Sequence, residues 1–174
     1  MTTDSAQESV VRLRRYRSED AGWYAETVRD AEIQRFTSDR DDLTAEDVER
    51  AIAESAADPH REAFLICGAN NSERLGNLAI DVGDGIADLS YWVAPDARGR
   101  GVAAKAIALA CAWLETHSDV RTAMLWTVED NVASRKAAER AGFHMVRTGQ
   151  RTLRARQVAT AEYEQVLGRA DNVQ

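Results

Sequence analysis

The sequence contains two cysteines in 174 residues, Cys67 and Cys111, and no cluster of cysteines and histidines at metal-ligand spacing. Neither a disulfide framework nor a metal site is therefore expected, and two reduced, buried thiols are the default. No apolar run approaches the roughly 20 residues that span a bilayer. The polar, acidic N-terminus, MTTDSAQES, has no signal-peptide core. We therefore expect a cytoplasmic protein that has no membrane partner.

The length suits one domain with a sizeable hydrophobic core, and neither an internal repeat nor a linker divides the chain. We predict a flexible N-terminal tail over residues 1–9 and a single domain over residues 10–170. The formal net charge of −7 disfavours a protein that coats nucleic acid, so no nucleic-acid partner is expected.

Alternating apolar patterns predict strands along most of the chain. These strands are expected over residues 10–16, 62–68, 75–82, 87–93, 122–128, 143–153 and 161–167. A first helix is predicted from an N-cap at Ser18 to about Asp30, followed by a connector. A second helix is predicted to begin at Thr44, with Asp47 as the acid of its capping box.

The most informative stretch spans residues 87–115, ADLSYWVAPDARGRGVAAKAIALACAWLE. Its strand is expected to stop at Pro95, which has no N–H to donate to a neighbouring strand. A glycine-arginine loop over residues 98–101 then leads directly into an apolar helix. Backbone N–H groups at a helix N-terminus have no intrahelical partner, and glycine allows a ligand to approach closely. With the helix dipole and two arginines, this stretch predicts a binding site for a diphosphate.

Two common nucleotide-binding fingerprints, Gly-x-Gly-x-x-Gly and Gly-x-x-x-x-Gly-Lys-Ser/Thr, are absent. The pattern Arg98-x-x-Gly101-x-Ala103 instead resembles the acyl-CoA pyrophosphate loop of the GNAT superfamily of N-acetyltransferases. The motifs YWVAP at 91–95, NVAS at 131–134 and AGF at 141–143 are similar to those of the Rim-type branch, the ribosomal-protein N-terminal acetyltransferases. The resemblance covers nearly the whole chain, from about residue 10 to about residue 167.

The resemblance implies an α/β (α+β) GNAT fold, a single mixed and mostly antiparallel sheet of six to seven strands flanked by helices. Two parallel strands that part at their ends would hold the pantetheine arm of acetyl-CoA as if it were another strand. By resemblance, the residues that bind this cofactor are Trp92, Val93, Arg98, Gly99, Arg100, Gly101, Val102, Ala103, Asn131 and Lys136. No metal is implied. From the residues alone, Asn131 is equally a good helix N-cap.

The resemblance also implies roles in catalysis. An amine must be neutral to attack a thioester, so a base has to remove its proton. Asp88 is the predicted base, with a structural hydrogen-bonding role as its alternative, because it stands on the strand where Rim-type relatives usually carry a glutamate. At the other position where such enzymes can place a catalytic glutamate, this chain has an apolar residue near Leu153. The Val93 N–H would polarise the carbonyl oxygen, and Ser134 would protonate the departing thiolate. The predicted acceptor contacts are Phe36, Thr37 and Tyr91.

Charged residues are segregated along the sequence. Eight acidic residues lie between positions 39 and 58 beside two arginines, whereas basic residues dominate from 135 to 156. Each run can be an ordinary solvated helix face. The functional alternative is an acidic flank that attracts a cationic amine, opposite a basic flank that binds the CoA phosphates.

The implied function is acetyl transfer from acetyl-CoA to a primary amine by direct attack in a ternary complex. A protein or peptide N-terminal amine is the leading acceptor, and the alternative is a small-molecule amine such as an antibiotic, a polyamine or an amino acid. A domain that binds acyl-CoA as a non-catalytic sensor stays open as a third interpretation. A homodimer is expected from the family resemblance alone.

Overall fold

The computed structural model describes residues 10–70 and 72–168. The predicted tail over 1–9 and the last two residues of the predicted domain lie outside the described residues. The helices are α1 (Ala21–Thr27), α2 (Ala31–Phe36), α3 (Ala45–Ala57), α4 (Val102–His117) and α5 (Val132–Arg140). The strands are β1 (Val11–Arg15), β2 (Arg61–Gly68), β3 (Arg74–Gly83), β4 (Ile86–Val93), β5 (Thr122–Val128), β6 (His144–Leu153) and β7 (Arg156–Val166). None of the described helices is both long and apolar enough to cross a membrane.

Seven strands form one mixed sheet in the order β1-β2-β3-β4-β5-β7-β6. All neighbouring strands are antiparallel except β4 and β5, which are parallel because α4 carries the chain across between them. The β4–β5 pairing covers just residues 86–88 against 122–124, although β4 continues to Val93 and β5 to Val128. The two strands therefore part beyond Asp88, which confirms the predicted mixed sheet and its split parallel pair.

The sheet is covered on both faces. On one face α4 packs its fully buried residues Ala106, Ile107 and Leu114 against the strands, as expected for a helix whose sequence is apolar nearly all round. On the other face Trp92 of β4 packs against Val28 and Ile33, next to the α1–α3 segment. Because side chains alternate along a strand, β4 contributes to both cores.

Local helix signals were right where residues close in sequence interact. Thr44 caps α3, its hydroxyl accepting from the Asp47 N–H, and the Asp47 carboxylate accepts from the Thr44 N–H. The N-cap prediction at Ser18 is wrong, because a 3₁₀ turn over Ser18–Asp20 precedes α1 and Arg17 occupies the position before it. The Asp20 carboxylate accepts from the Arg17 N–H at 2.9 Å and fixes that turn.

Two further boundaries differ from the predictions. The connector after α1 contains a short helix, α2, because the Asp30 carboxylate caps it by accepting from the N–H groups of Glu32 and Ile33. Strand β7 begins at Arg156 rather than at 161, since β6 and β7 are joined by a two-residue turn at Arg154 and Ala155. Both residues have positive φ, 50° and 60°, without the glycine that usually indicates such a turn.

Candidate active site

A cavity of about 1000 Å³ lies where β4 and β5 part, between the N-termini of α4 and α5 and the α1–α3 segment. All but two of the predicted site residues line this cavity. The lining set is Phe36, Thr37, Tyr91, Trp92, Val93, Arg98, Gly99, Gly101, Val102, Ala103, Asn131, Ser134 and Lys136. The two that do not line it are Asp88 and Arg100. One continuous space therefore joins the predicted CoA site to the predicted acceptor site.

The loop before α4 has the geometry of an anion site. Gly99 and Gly101 have φ of 74° and 72°, a backbone conformation that side-chain-bearing residues rarely adopt. The Lys105 N–H donates to the Gly101 carbonyl at 3.3 Å, so the N–H groups of the three residues between them have no intrahelical acceptor. These groups line the cavity with the loop glycines. The structure therefore fits a bound diphosphate at this position.

The two loop arginines differ in their surroundings. Arg98 lines the cavity, where its guanidinium pairs with Asp30 and lies 3.6 Å from the Glu32 carboxylate. Burial opposes ionisation of Asp30, but the hydrogen bond from Arg98 and those from the α2 N–H groups outweigh it and lower the pKa of Asp30. Arg100 points elsewhere and pairs with Glu73 at 2.8 Å. Of the two, Arg98 is positioned for the diphosphate.

Replacing Arg98 with alanine is expected to weaken CoA binding by about 1.5–3 kcal/mol, the range of a charge-assisted hydrogen bond. Arg100→Ala is the matched comparison, because it removes the same charge from the same loop outside the cavity lining. Isothermal titration calorimetry with CoA measures both affinities. Equal losses in the two variants would contradict the assignment of the contact to Arg98.

The register of β3 against β4 determines which backbone groups face the gap. The Ala94 N–H donates to the Leu75 carbonyl at 2.8 Å, and Gly76 stands opposite Val93. Since hydrogen-bonded and non-hydrogen-bonded pairs alternate in an antiparallel ladder, the N–H groups of Val93 and Tyr91 point away from β3, into the gap beside β5. The Val93 N–H is therefore directed as its predicted role requires.

The same alternation limits how Trp92, predicted to bind the cofactor, can contact it, since the resemblance implies pairing through the backbone of this strand. Its carbonyl oxygen faces β3, where it would lie 2.3 Å from a Cβ placed on Gly76. The backbone of Trp92 is therefore turned away from the gap, and Tyr91 takes its place beside Val93. The Trp92 side chain still lines the cavity, from the side of α1 and α2.

Ser134 and Tyr91 meet at the start of α5. Their hydroxyl oxygens are 2.7 Å apart, and the Asn131 side chain caps the helix by accepting from the Ser134 N–H at 3.1 Å. Burial raises the pKa of Tyr91 to about 12, so that this hydroxyl keeps its proton at neutral pH. Tyr91, predicted to contact the acceptor, lines the cavity and is also a hydrogen-bonding partner of Ser134. Asn131 has the N-cap role that its residue type alone suggests.

Asp88 lies on the paired part of β4, opposite Asp81 of β3 and Met124 of β5. It does not line the cavity, which begins farther along the strand with Leu89 and Ser90. Burial raises the pKa of Asp88, and nearby Arg151 opposes that rise. The structure therefore does not bring the predicted base to the remaining catalytic candidates.

Asp39 is a cavity residue that the sequence did not identify. Its carboxylate accepts a hydrogen bond from the Tyr24 hydroxyl at 3.1 Å, and the Trp92 indole lies beside it. In the sequence Asp39 is one of eight acids in a charged run, and nothing local separates it from the others. Its distinction arises from tertiary packing. No cluster of three or more potential metal ligands occurs among residues 10–70 and 72–168.

A parallel strand pair that opens beside a glycine-lined helix N-terminus is the arrangement of an acyl-CoA-dependent transferase. The family model described as an acetyltransferase (GNAT) domain matches residues 11–144, so the chain belongs to the GNAT family of acetyltransferases and uses acetyl-CoA. Comparison with curated protein sequences gives no match.

Solved structures with different acceptors share this fold. Spermidine N-acetyltransferase from Vibrio cholerae, in complex with CoA and spermine, has a TM-score of 0.79 at 15% identity over 90% of this chain and 95% of that chain. RimL, a ribosomal L7/L12 α-N-protein acetyltransferase in complex with CoA, has a TM-score of 0.79 at 16% identity over 90% and 94%. MccE, a microcin C7 self-immunity acetyltransferase in complex with acetyl-CoA and AMP, has a TM-score of 0.79 at 17% identity over 92% and 94%. At these identities the likeness shows the fold alone.

Proposed function

We propose that this chain transfers the acetyl group of acetyl-CoA to a primary amine, with a protein or peptide N-terminal amine as the leading acceptor. The observation that supports this is the continuity of the cavity, which joins the glycine-lined N-terminus of α4 and Ser134 to a pocket beneath α1–α3. A non-catalytic sensor needs the end of the cavity that binds CoA, at the N-terminus of α4, but does not need the acceptor pocket beneath α1–α3.

The acceptor side favours an amine that is easily deprotonated and carries one charge. A model α-amino group has a pKa of about 7.7–8.0, against about 10.4 for a lysine side chain. Three acidic side chains line the cavity in the described part of the chain, Glu32, Asp39 and Asp47. Glu32 lies 3.6 Å from Arg98, and Asp47 pairs with Arg50 at 3.1 Å. This leaves one carboxylate for the acceptor, which suits a single ammonium better than a polyamine.

Acetyl-CoA, when bound, supplies the acetyl group as a thioester. In our proposal the loop glycines, Arg98 and the first N–H groups of α4 bind its diphosphate, with Lys136 nearby on α5. The Val93 N–H donates to the carbonyl oxygen and stabilises the negative charge that develops there. Ser134 would give its proton to the leaving sulfur and regain one from solvent, which also takes the proton that the nitrogen loses as the amide forms. The Tyr91 hydroxyl, 2.7 Å from that of Ser134, stays protonated and holds Ser134 in place.

The two cysteines support direct transfer rather than an acyl-enzyme. Cys111 lies buried within α4, and its thiol is 3.6 Å from the Gln165 side-chain oxygen. Burial raises the pKa of Cys111 to about 12, so that it remains a thiol at neutral pH. Cys67 is buried in β2, and burial raises its pKa as well. Neither cysteine lines the cavity.

The test is acetyl-CoA turnover, followed by release of free thiol, against a panel of amines. The panel holds peptides that begin with Ser, Ala, Met or Thr, together with aminoglycosides, polyamines and free amino acids. We expect release with the peptides, and a kcat about 10-fold to 100-fold lower for Ser134→Ala with CoA affinity unchanged. This is the low end of general acid catalysis, because a thiolate leaves tolerably well without help.

Three outcomes separate the alternatives. Release with aminoglycosides, polyamines or amino acids and none with peptides would replace the leading acceptor with a small molecule. Tight CoA binding without release from any amine would contradict the transferase and favour the sensor. Full turnover by Ser134→Ala with an unchanged pH profile would remove the proton-donor role from Ser134.

A further inference from the structure

Asp39 is held rigidly at the wall of the cavity. The Asp39 N–H donates to the Thr37 hydroxyl at 3.3 Å, and the Gln34 side-chain amide donates to the Asp39 carbonyl at 3.1 Å. The Tyr24 hydroxyl donates to the Asp39 carboxylate at 3.1 Å. Contacts from α1, α2 and the following loop thus fix both its backbone and its side chain.

This carboxylate has no cationic partner in the part of the chain that the structure describes. None of the ion pairs among the described residues includes Asp39, whereas Glu32 and Asp47 on the same cavity wall each have an arginine within 4 Å. A partly buried carboxylate without a cation is costly, because desolvation penalises its charge. A cationic ligand that binds beside Asp39 would offset this desolvation cost.

The Trp92 indole, beside Asp39, is a second polar group that lacks a full set of protein partners. The Trp92 side chain is 95% buried, since its relative exposure is 5%, and its indole Nε1 has no hydrogen-bond partner among the described residues. It lies close enough to Asp39 and Tyr24 to oppose part of the rise that burial causes in the pKa of each, but it does not meet the geometry of a hydrogen bond. Buried polar groups are normally satisfied. An unpaired donor beside a carboxylate that has no cation within 4 Å indicates a polar ligand at this position.

The surroundings of this polar pair are mainly apolar. The cavity-lining side chains from α2, α3 and the loop between them include Ile33, Phe36, Leu43, Val48 and Ile52, whereas Arg61 and Asn77 from the neighbouring strands are polar. Such a surface holds an apolar or aromatic group, as most ligand pockets do. A ligand that satisfies both parts has one charged end and an apolar body.

We propose that Asp39 binds the ammonium group of the acceptor and takes its proton, while the apolar wall beneath α3 holds an apolar or aromatic body next to that amine. This inference rests on the proposed acetyl transfer to an amine. The proton passes from the ammonium nitrogen to a carboxylate oxygen, which leaves a neutral amine with a free electron pair. Asp39 then releases the proton to solvent. It takes the role for which Asp88, outside the cavity, is not positioned.

The electrostatic surroundings agree with a base. Burial raises the pKa of Asp39, and the Tyr24 hydroxyl, the Trp92 indole and Thr37 partly oppose that rise, as does Arg154 from the β6–β7 turn. Burial also raises the pKa of Tyr24, and that of Tyr16, which follows β1, so both hydroxyls stay neutral. Glu32 on α2 and Asp47 on α3 are the other acids that line this cavity, and Arg61 of β2, paired with Asp81, lines it as well. Activity is expected to fall with decreasing pH as Asp39 becomes protonated, at a pH above that of an ordinary aspartate.

The test compares Asp39→Asn with Asp41→Asn. Asparagine keeps the shape of Asp39 and its acceptor for Tyr24, and Asp41 is an exposed acid of the same loop outside the cavity lining. With an acceptor identified by turnover, we expect Asp39→Asn to lower kcat/KM at least about 100-fold and to remove the acid limb of its pH profile. CoA affinity is expected to stay unchanged in both variants, and Asp41→Asn should match the wild type. Turnover by Asp39→Asn within threefold of the wild type would overturn this inference and leave the proposed function standing.

If no amine of the panel is acetylated, the proposed function fails and the Asp39 site is tested by binding. The probe is 2-phenylethylamine, titrated into the CoA-loaded protein while NMR follows the Asp39 carboxyl carbon. We expect the pKa of that carboxyl to fall on binding, and spermidine, which has several charges and no apolar body, to bind more weakly. An Asp39 titration that 2-phenylethylamine leaves unchanged, or tighter binding of spermidine, would overturn the site.

Discussion

Replacing Asp20 with alanine is expected to lower the free energy of unfolding by about 3–5 kcal/mol, the cost of breaking a buried ion pair. The Asp20 side chain is fully buried. Arg14 of β1 donates to its two oxygens at 2.7 and 3.0 Å, and Arg74 of β3 donates at 2.8 Å. The alanine variant leaves two largely buried guanidinium groups without this carboxylate. Urea denaturation followed by circular dichroism measures the loss.

A neighbouring acid provides the control. Glu19 precedes Asp20, and its carboxylate lies 3.5 Å from the Arg17 guanidinium with both side chains more than half exposed. Glu19→Ala is therefore expected to change stability by less than about 1 kcal/mol. A loss for Asp20→Ala as small as that for Glu19→Ala would show that the buried cluster contributes little.

The contribution of Asp20 also depends on pH. Burial opposes its ionisation, but hydrogen bonds from Arg14 and Arg74 outweigh it and hold the pKa of Asp20 far below its usual range. The unfolded chain binds a proton near pH 3.9, whereas the folded protein does so at a lower pH. The stabilisation is therefore complete above about pH 5 and declines as the pH falls below about 4. The difference between wild type and Asp20→Asn should shrink over the same range.

Asp20 also explains why one boundary could not be predicted from the sequence. Ser18 followed by two acids is typical of a helix N-cap, and the same pattern correctly located Thr44 before α3. The Asp20 carboxylate instead accepts hydrogen bonds from arginines of β1 and β3, and the arginine of β3 is distant in sequence. A local pattern locates a helix start where the interacting residues are local, as at Thr44 and Asp47. It fails where a tertiary contact competes for the same side chain.

The glycine loop before α4 was predictable because its determinants are contiguous, whereas the split between β4 and β5 was implied by the family resemblance. Strand, loop glycines and helix follow one another in residues 87–115, and Gly99 and Gly101 have the positive φ that their residue type permits. Asp39 was not predictable, since its distinction depends on Tyr24 and Trp92 from other elements. The roles of Trp92 and Tyr91 depend on strand register, which fixes the direction of their backbone groups. An alternating sequence pattern indicates the face of the sheet on which a side chain lies. It does not indicate towards which neighbouring strand the backbone N–H of that residue points.

The register also makes Gly76 the glycine whose replacement is expected to affect the site most. A Cβ at this position would lie 2.3 Å from the Trp92 carbonyl oxygen and 3.1 Å from the Val93 Cα. Both are backbone atoms of β4, which cannot give way as the end of a flexible side chain can. Gly76→Ala must therefore displace the segment that directs the Val93 N–H into the gap.

We expect Gly76→Ala to lower the free energy of unfolding by about 1–3 kcal/mol through overpacking. Loss of one oxyanion donor costs about 100-fold or more in kcat, and a displaced Val93 N–H should approach that loss. The control is Gly83→Ala on the same strand, where a Cβ would have no atom within 4 Å. It removes a glycine from β3 without touching β4.

Steady-state kinetics at saturating acetyl-CoA, with calorimetry of CoA binding, shows whether Gly76→Ala lowers the rate of the chemical step or weakens the binding of acetyl-CoA. A lower kcat at saturation indicates that Val93 acts on the reacting carbonyl, because weaker binding alone would be overcome by the excess of acetyl-CoA. A folded Gly76→Ala variant with the kcat of Gly83→Ala would contradict the role of the Val93 N–H. In that case the strain of the added methyl group is absorbed on the side of β2, where the Ile66 side chain, 3.2 Å from the new Cβ, is the neighbour able to move.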